Sequence, residues 1–310
     1  MNFSFNLNSK HGKFTCPNCG HKKRFVRYVN DRGEFYPDPT VGRCDRINSC
    51  GYWKKPVPDQ NNNNNLYKKS DSNVLYKKHI YLDYKYVMHT NKYVTNSKLY
   101  TFLSNIFGKK NVFNMLNLYK IGRYKNYDTI PYIDLHGNIA TIQCKLFDDN
   151  LHTVKNTWLH NLVKNTDMDN YKNNDKFVTC FFGEHLLQNN NYNYKYVCIA
   201  EAPKTAIVCS LANYLPQAVW LASFNCTGLT EEKFDRIVNI YKDKTFILFP
   251  DTSPDGHVYK DWGKFALSYK SKKKVNIFVD DFLEKNLPKD KRDKGYDLAD
   301  YILENINNNN

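Results

Sequence analysis

Residues 194–306 alternate short apolar runs with amphipathic segments in an unbroken order. YKYVCIA, AVWLAS, KTFILFP and KVNIFVD have the length and composition of buried strands. PKTAIVCSLA, TEEKFDRIVNIY, VYKDWGKFALSYK and DLADYILENI lie between or after them and read as helices. A strand that is apolar along its whole length is covered on both faces, and strands separated by helices run parallel. The expected fold is therefore α/β, a mostly parallel sheet with helices on both faces. In such a sheet functional groups gather beyond the carboxyl ends of the strands.

Three acidic residues fall in that place. Glu201 directly follows YVCIA, Asp251 follows KTFILFP, and Asp297 opens the last helix in KGYDLADY. Three carboxylates at one sheet edge can hold Mg²⁺ or Mn²⁺, which favour oxygen ligands. Such an ion positions phosphate oxygens in phosphoryl transfer. Lys204, at the start of the helix after Glu201, is placed to hold a phosphate. Plainer readings exist. Asp297 is a candidate helix N-cap, and Asp251 lies in the turn-forming string PDTSPDG. Glu201 resists them, because a charge ending a buried strand needs a partner.

The nine cysteines divide into two groups. Cys144, Cys180, Cys198, Cys209 and Cys226 are expected in the core, where a free cysteine behaves as a small hydrophobe. Cys16, Cys19, Cys44 and Cys50 are crowded into 35 residues. A Cys-x-x-Cys followed by Gly forms a tight knuckle, and a β-hairpin can return the second pair to the first. Four thiolates then make a closed structural zinc site. His21 beside the knuckle is an alternative ligand or an exposed polar residue. Five of the eight arginines, Arg24, Arg27, Arg32, Arg43 and Arg46, lie in the same segment, with Tyr28 and Trp53 among the aromatics. Arginine forks and flat rings suit phosphate contact and base stacking. Arg24, Arg27, Arg43, Arg46, Tyr28 and Trp53 are the candidate nucleic-acid-binding residues. A solvated sheet face over a small core is the plainer reading.

The net charge of +14 also suggests nucleic acid. The chain holds 37 Lys and 41 Asn against only 8 Arg. That bias fits an AT-rich genome, which inflates lysine everywhere, so the clustered arginines weigh more than the total. No run of 18 apolar residues occurs, and the first residues lack an apolar stretch of signal-peptide length. A soluble, cytoplasmic protein is expected. Residues 1–58 read as a zinc-binding module and 59–73, DQNNNNNLYKKSDSN, as a flexible linker. Residues 74–188 form an α+β middle region, and 189–310 the parallel-sheet domain. In the middle region Leu99, Leu103, Val112 and Leu116 recur at helical spacing. Gly108 and Gly122 are candidate helix C-caps. TIPYIDLHGNIATIQCKLFDD reads as a β-hairpin turning at His136-Gly137. The tail from Asn307 is expected to fray.

CPNCG, VGRCDR, CGYWKKP, WLHNLVK, CFFGEHLL, EAPKTAI, LFPD and GYDLADYIL, in this order over residues 14–303, resemble a primase-like group of zinc-finger plus Toprim proteins. That group occurs in Bacteroidetes genomes and their mobile elements and is related to the bacterial replicative primases. The resemblance implies a Toprim-like sheet and a primase-like core behind a zinc-ribbon-like module. Glu201 matches the Toprim glutamate, Asp251 the first aspartate of its Asp-x-Asp, and Asp297 the late aspartate. Ser253 replaces the second aspartate, Ala202 the usual glycine, and Thr205 a further acid. Asp255 is a candidate substitute. The implied activity is a Mg- or Mn-dependent nucleotidyltransferase making short primers on single-stranded DNA. Its implied partners are single-stranded DNA or other nucleic acid, nucleotides, and a helicase or replication protein. The retained Glu201, Lys204, Asp251 and Asp297 favour that activity, whereas Ser253 and Thr205 favour a degenerate Toprim protein acting as a DNA-binding accessory factor of a mobile element; a Toprim nuclease is the third reading.

Overall fold

The computed structural model describes residues 5–30, 32–46, 50, 52–56, 81–172, 180–188 and 193–308. The expected linker 59–73, the second knuckle glycine Gly51 and most of the expected loop at 189–195 lie outside them. The chain divides into two compact units, Met1–Asn73 and Val74–Asn310.

The first unit is a four-stranded antiparallel sheet, β1 (Asn6–Leu7), β2 (Phe25–Val29), β3 (Gly42–Cys44) and β4 (Trp53–Lys54), in that spatial order. Its core is small: Cys16, Phe25 and Cys44 are buried, with Phe14 and Tyr52 packed against them. Gly42 is required by the pairing. A Cβ there would lie 2.4 Å from the Val26 carbonyl oxygen and 2.5 Å from Cζ of Phe25.

The second unit opens with three helices, α1 (Tyr84–Asn91), α2 (Lys98–Phe107) and α3 (Lys109–Leu118). The Asp128 carboxylate accepts from the backbone N–H groups of Lys98 and Leu99, both at 2.8 Å. That satisfies two of the free donors at the start of α2. Gly108 closes α2 as expected. Gly122 caps no helix. It opens a strand against α1, where a Cβ would lie 2.4 Å from the Thr90 carbonyl oxygen.

An antiparallel sheet follows: β5 (Gly122–Tyr124), β6 (Tyr127–Ile133), β7 (Ile139–Phe147) and β8 (Thr153–Trp158). The β6–β7 turn is the expected one. Asp134 Oδ1 accepts from the N–H groups of His136 and Asn138, and Gly137 takes φ +81°. The short helices α4 (Leu159–Leu162) and α5 (Thr166–Lys172) close this part.

The remainder is the anticipated alternation: β9 (Tyr196–Ala200), α6 (Pro203–Leu211), β10 (Ala218–Ala222), α7 (Glu231–Val238), β11 (Thr245–Phe249), α8 (His257–Lys273) and β12 (Asn276–Val279). The short helices α9 (Phe282–Asn286) and α10 (Lys289–Arg292) lead to α11 (Leu298–Asn308), which extends past the point where fraying was expected. The strands are parallel in the order β10-β9-β11-β12. The connections out of β9 and out of β10 run in opposite directions, so right-handed crossovers place α6 and α7 on opposite faces. Phe182 exchanges two backbone hydrogen bonds with Ala222, at 2.9 and 3.1 Å, on the outer flank of β10. One buried cluster joins Leu99, Leu103 and Leu116 to Val197, Ile199 and Phe246, so the helices of the middle region and the parallel sheet share a core.

Candidate functional site

In the first unit, Gly20 takes φ +69° and its N–H donates to the Cys16 carbonyl. That turn brings Cys19 back beside Cys16. The Cys50 N–H donates to the Arg46 carbonyl at 2.8 Å, which folds the wide Cys44–Cys50 spacing. The Sγ atoms of Cys16, Cys19, Cys44 and Cys50 all lie within 4.8 Å of one another. Cys16 and Cys50 sulfurs are 3.7 Å apart. A tetrahedral ion with Zn–S bonds of about 2.3 Å needs S–S edges of about 3.8 Å. The four thiols fit zinc. His21 stands outside the set, exposed, with its ring against the Arg46 guanidinium.

The structure sorts the arginines. Arg27 donates to the Tyr36 carbonyl at 2.7 Å and lies over the rings of Phe14 and Phe35, so it serves the fold. Tyr28 is buried, and its hydroxyl accepts from Trp53 Nε1 at 2.9 Å. Trp53 is thereby fixed while 51% exposed, with Arg43 and Lys55 over its ring. Arg24 is exposed, and Arg46 is half-buried with its guanidinium against His21. Sequence reasoning did not single out Lys55.

In the second unit, β9 and β11 are neighbours paired Ala200↔Phe249. Glu201 and Asp251 therefore follow the carboxyl ends of adjacent strands. The Asp251 N–H donates to Glu201 Oε1 at 3.2 Å. Asp297 reaches the same end from the start of α11. It forms a reciprocal cap with Asp300: the Asp300 N–H donates to Asp297 Oδ1, and the Asp297 N–H to Asp300 Oδ2. Lys204 Nζ bridges the two, 3.2 Å from Asp297 and 2.9 Å from Asp300. Thr205 donates its hydroxyl to Asp297 at 3.1 Å. Ser253 Oγ accepts from the Val258 N–H in the first turn of α8, and Asp255 is exposed with φ +59°.

Burial, with the charge of Asp297 adding to it, pushes the Glu201 carboxyl up to about 7. Burial raises Asp251 well above the carboxylate range too, reinforced by Asp297 and Glu201. Burial works against the charge on Lys204, but Asp297 and Asp300 outweigh it and raise its pKa. The four cysteines are the one group of three or more potential ligand atoms within 4.8 Å of one another among the described residues. The three acids are thus a looser set. Their oxygen donors suit a hard divalent ion at Glu201 and Asp251, while Asp297 is engaged by Lys204 and Thr205.

Two residues that the sequence did not single out join this corner. Asp300 shares Lys204. Lys145, on β7, is depressed by burial and by the charge of Lys204, with Asp251 and Asp297 opposing. One expectation fails: Cys226 is exposed, whereas Cys144, Cys180, Cys198 and Cys209 are buried. Cys226 sits in the loop after β10, beyond the end of the apolar strand, where its side chain is exposed although burial still raises its pKa.

The family model described as Domain of unknown function (DUF6371) matches residues 97–252, half of the chain. The chain belongs to this family. The DUF6371 segment runs from α2 to the end of β11 and holds Glu201, Lys204 and Asp251; Asp297 lies beyond it. A zinc beta-ribbon finger model matches residues 2–65. No curated protein matches the chain. Among solved structures, the E. coli primase catalytic core is similar at 10% identity, over 72% of this chain and 82% of that one, with a TM-score of 0.41. The primase fragment of the bacteriophage T7 primase-helicase is similar at 14% identity, over 98% and 97%, with a TM-score of 0.39. These likenesses are distant. No helix among the described residues is long and apolar enough to cross a membrane.

Proposed function

We propose that this DUF6371 protein is a primase-like nucleic-acid-binding protein in which Glu201, Asp251 and Asp297, with Lys204, form a Mg²⁺- or Mn²⁺-dependent Toprim site making short primers on single-stranded DNA. The observation that carries this reading is the pair of carboxyls at the ends of β9 and β11, both pushed toward neutrality by burial and by neighbouring charge. A bound cation would relieve that cost. A divalent ion there supplies a Lewis acid for phosphoryl transfer. Lys204 and Lys145 supply cations for nucleotide phosphates. Zinc holds the ribbon together; Arg24, Arg43 and Arg46 contact backbone phosphates, and Trp53 stacks on a base. Single-stranded DNA, nucleotides and a helicase or other replication protein are the partners of this reading, and its compartment is the cytoplasm.

A second reading is favoured by two observations: Lys204 already neutralises Asp297 at 3.2 Å, and Ser253, where the second aspartate would stand, uses its hydroxyl to accept from the Val258 N–H. In that reading the Toprim fold is degenerate and the protein is a DNA-binding accessory factor. Primer synthesis from labelled nucleotides on single-stranded DNA, with Mg²⁺ or Mn²⁺ and with Glu201→Gln alongside, separates the two. The first reading expects metal-dependent short products that fall at least about a hundredfold in the variant. Tight DNA binding with no product under either ion establishes the second.

A further inference from the structure

The loop from Ser223 to Thr230, between β10 and α7, borders the acid corner. The Ser223 N–H donates to the Ala200 carbonyl at 2.9 Å, and the Phe224 N–H to the carbonyl of Glu201 itself at 3.0 Å. Phe224 takes φ +95°, a strained conformation for a bulky side chain, and stacks on Trp158 with centroids 5.3 Å apart. Strain of this kind persists only where the surroundings enforce it. Gly228 folds so close that a Cβ would lie 2.1 Å from the Ser223 carbonyl oxygen.

Lys233 on α7 is what encloses this loop. It is 6% exposed, and its ammonium donates to the carbonyls of Ser223, at 3.1 Å, and Gly228, at 2.9 Å, while facing the Phe181 ring. Burial disfavours its charge. A methionine would fill the space without that cost, so the ammonium's contribution is to tie the two ends of the loop together. The tip, Asn225, Cys226 and Thr227, is exposed and carries no charge. Thr227 donates its hydroxyl to Asn225 Oδ1 at 3.0 Å. The carboxamide oxygen is thereby engaged within the loop, which leaves its NH₂ as the group to offer a ligand.

The charged groups of the corner suit phosphates or a cation; the neutral tip beside them suits an uncharged group that carries acceptors. We propose that Lys233 is a positioning residue that builds the loop as a rigid rim of the acid corner, and that the Asn225 carboxamide binds the sugar or base of a nucleoside triphosphate there. The inference rests on the nucleotide reading of the corner and names the part of the ligand that the acids do not hold. Asn225 selects through a hydrogen bond, and Lys233 acts only through the loop.

The zinc-loaded full chain tests this with ATP and GTP in Mn²⁺ by calorimetry, the melting shift in Mn²⁺ alone, and alkylation of Cys226 followed on its peptide. Asn225→Ala and Thr227→Val are expected to raise the nucleotide Kd about tenfold, the worth of one oriented hydrogen bond, with the Mn²⁺ shift and the alkylation rate unchanged. Lys233→Met is expected to raise the Kd similarly and to speed Cys226 alkylation severalfold, and Lys233→Arg to restore part of both. Nucleotide binding equal in the wild type, Asn225→Ala and Thr227→Val overturns the rim's role while the nucleotide reading stands. A wild type that binds neither nucleotide overturns both. Unchanged alkylation in Lys233→Met, or in Thr227→Val with Lys233→Arg if the methionine variant does not fold, removes Lys233 from the account.

Discussion

Glu201 bears the clearest physical signature in the molecule. Its pKa of about 7 lies above the 4.5 of an ordinary glutamate. Between those values the folded protein keeps a proton that the unfolded chain releases. Stability therefore falls as pH rises through that window, and full ionisation costs on the order of 3 kcal/mol. Glu201→Gln is expected to raise the melting temperature by roughly 5–10 °C at pH 8 and to change it little at pH 4.5. Added Mn²⁺ at pH 8 should stabilise the wild type and not the variant. A variant less stable than the wild type at pH 8 without metal would show that the carboxylate is satisfied as it stands. Glu201 was legible in the sequence because a charge directly after an apolar strand has few structural explanations. Lys145 was not, because its relation to Asp251 exists only after β7 packs beside the parallel sheet. Cys226 misled for a related reason: a small apolar residue gives no sign of which side of a strand end it will leave.

Among the elements, β3 is the most sensitive to a single atom. Gly42→Ala would drive a methyl into the Val26 carbonyl and into the ring of Phe25, which lies in the small core beside Cys16 and Cys44. With no second core to absorb it, the substitution is expected to cost at least about 2 kcal/mol and to lower zinc content below one equivalent by elemental analysis. The melting transition of residues 74–310 should not move. A fully zinc-loaded Gly42→Ala protein would contradict this account of the ribbon. The parallel sheet was readable because its strands are apolar throughout. The antiparallel sheet was readable only in part. Residues 153–156 of β8 are all exposed, so no alternation marks them, and β5 spans only Gly122–Tyr124. Gly122 resembles a C-cap in sequence because a glycine demanded by close backbone approach and one demanded by a left-handed turn look alike.

For the whole molecule, the net charge of +14 predicts salt-sensitive binding to single-stranded DNA, and the distribution of arginine predicts where the sensitivity resides. Replacing Arg24, Arg43 and Arg46 by Gln should reduce the log–log salt slope by about 2, at about 0.7 per phosphate contact. Replacing Lys242, Lys264 and Lys270 should change it little. Equal losses in the two triple variants, read by fluorescence anisotropy across a salt series, would assign binding to overall charge and not to the ribbon. The pairing of Phe182 with Ala222 has a consequence of another kind. An unpaired flank of a sheet is a template on which a second chain can add a strand. Phe182 occupies that position beside the end of β10, next to the loop that Lys233 closes. Strand addition at that end of β10 is thereby blocked, and the opposite flank of the sheet is β12, a four-residue strand that begins with a polar asparagine.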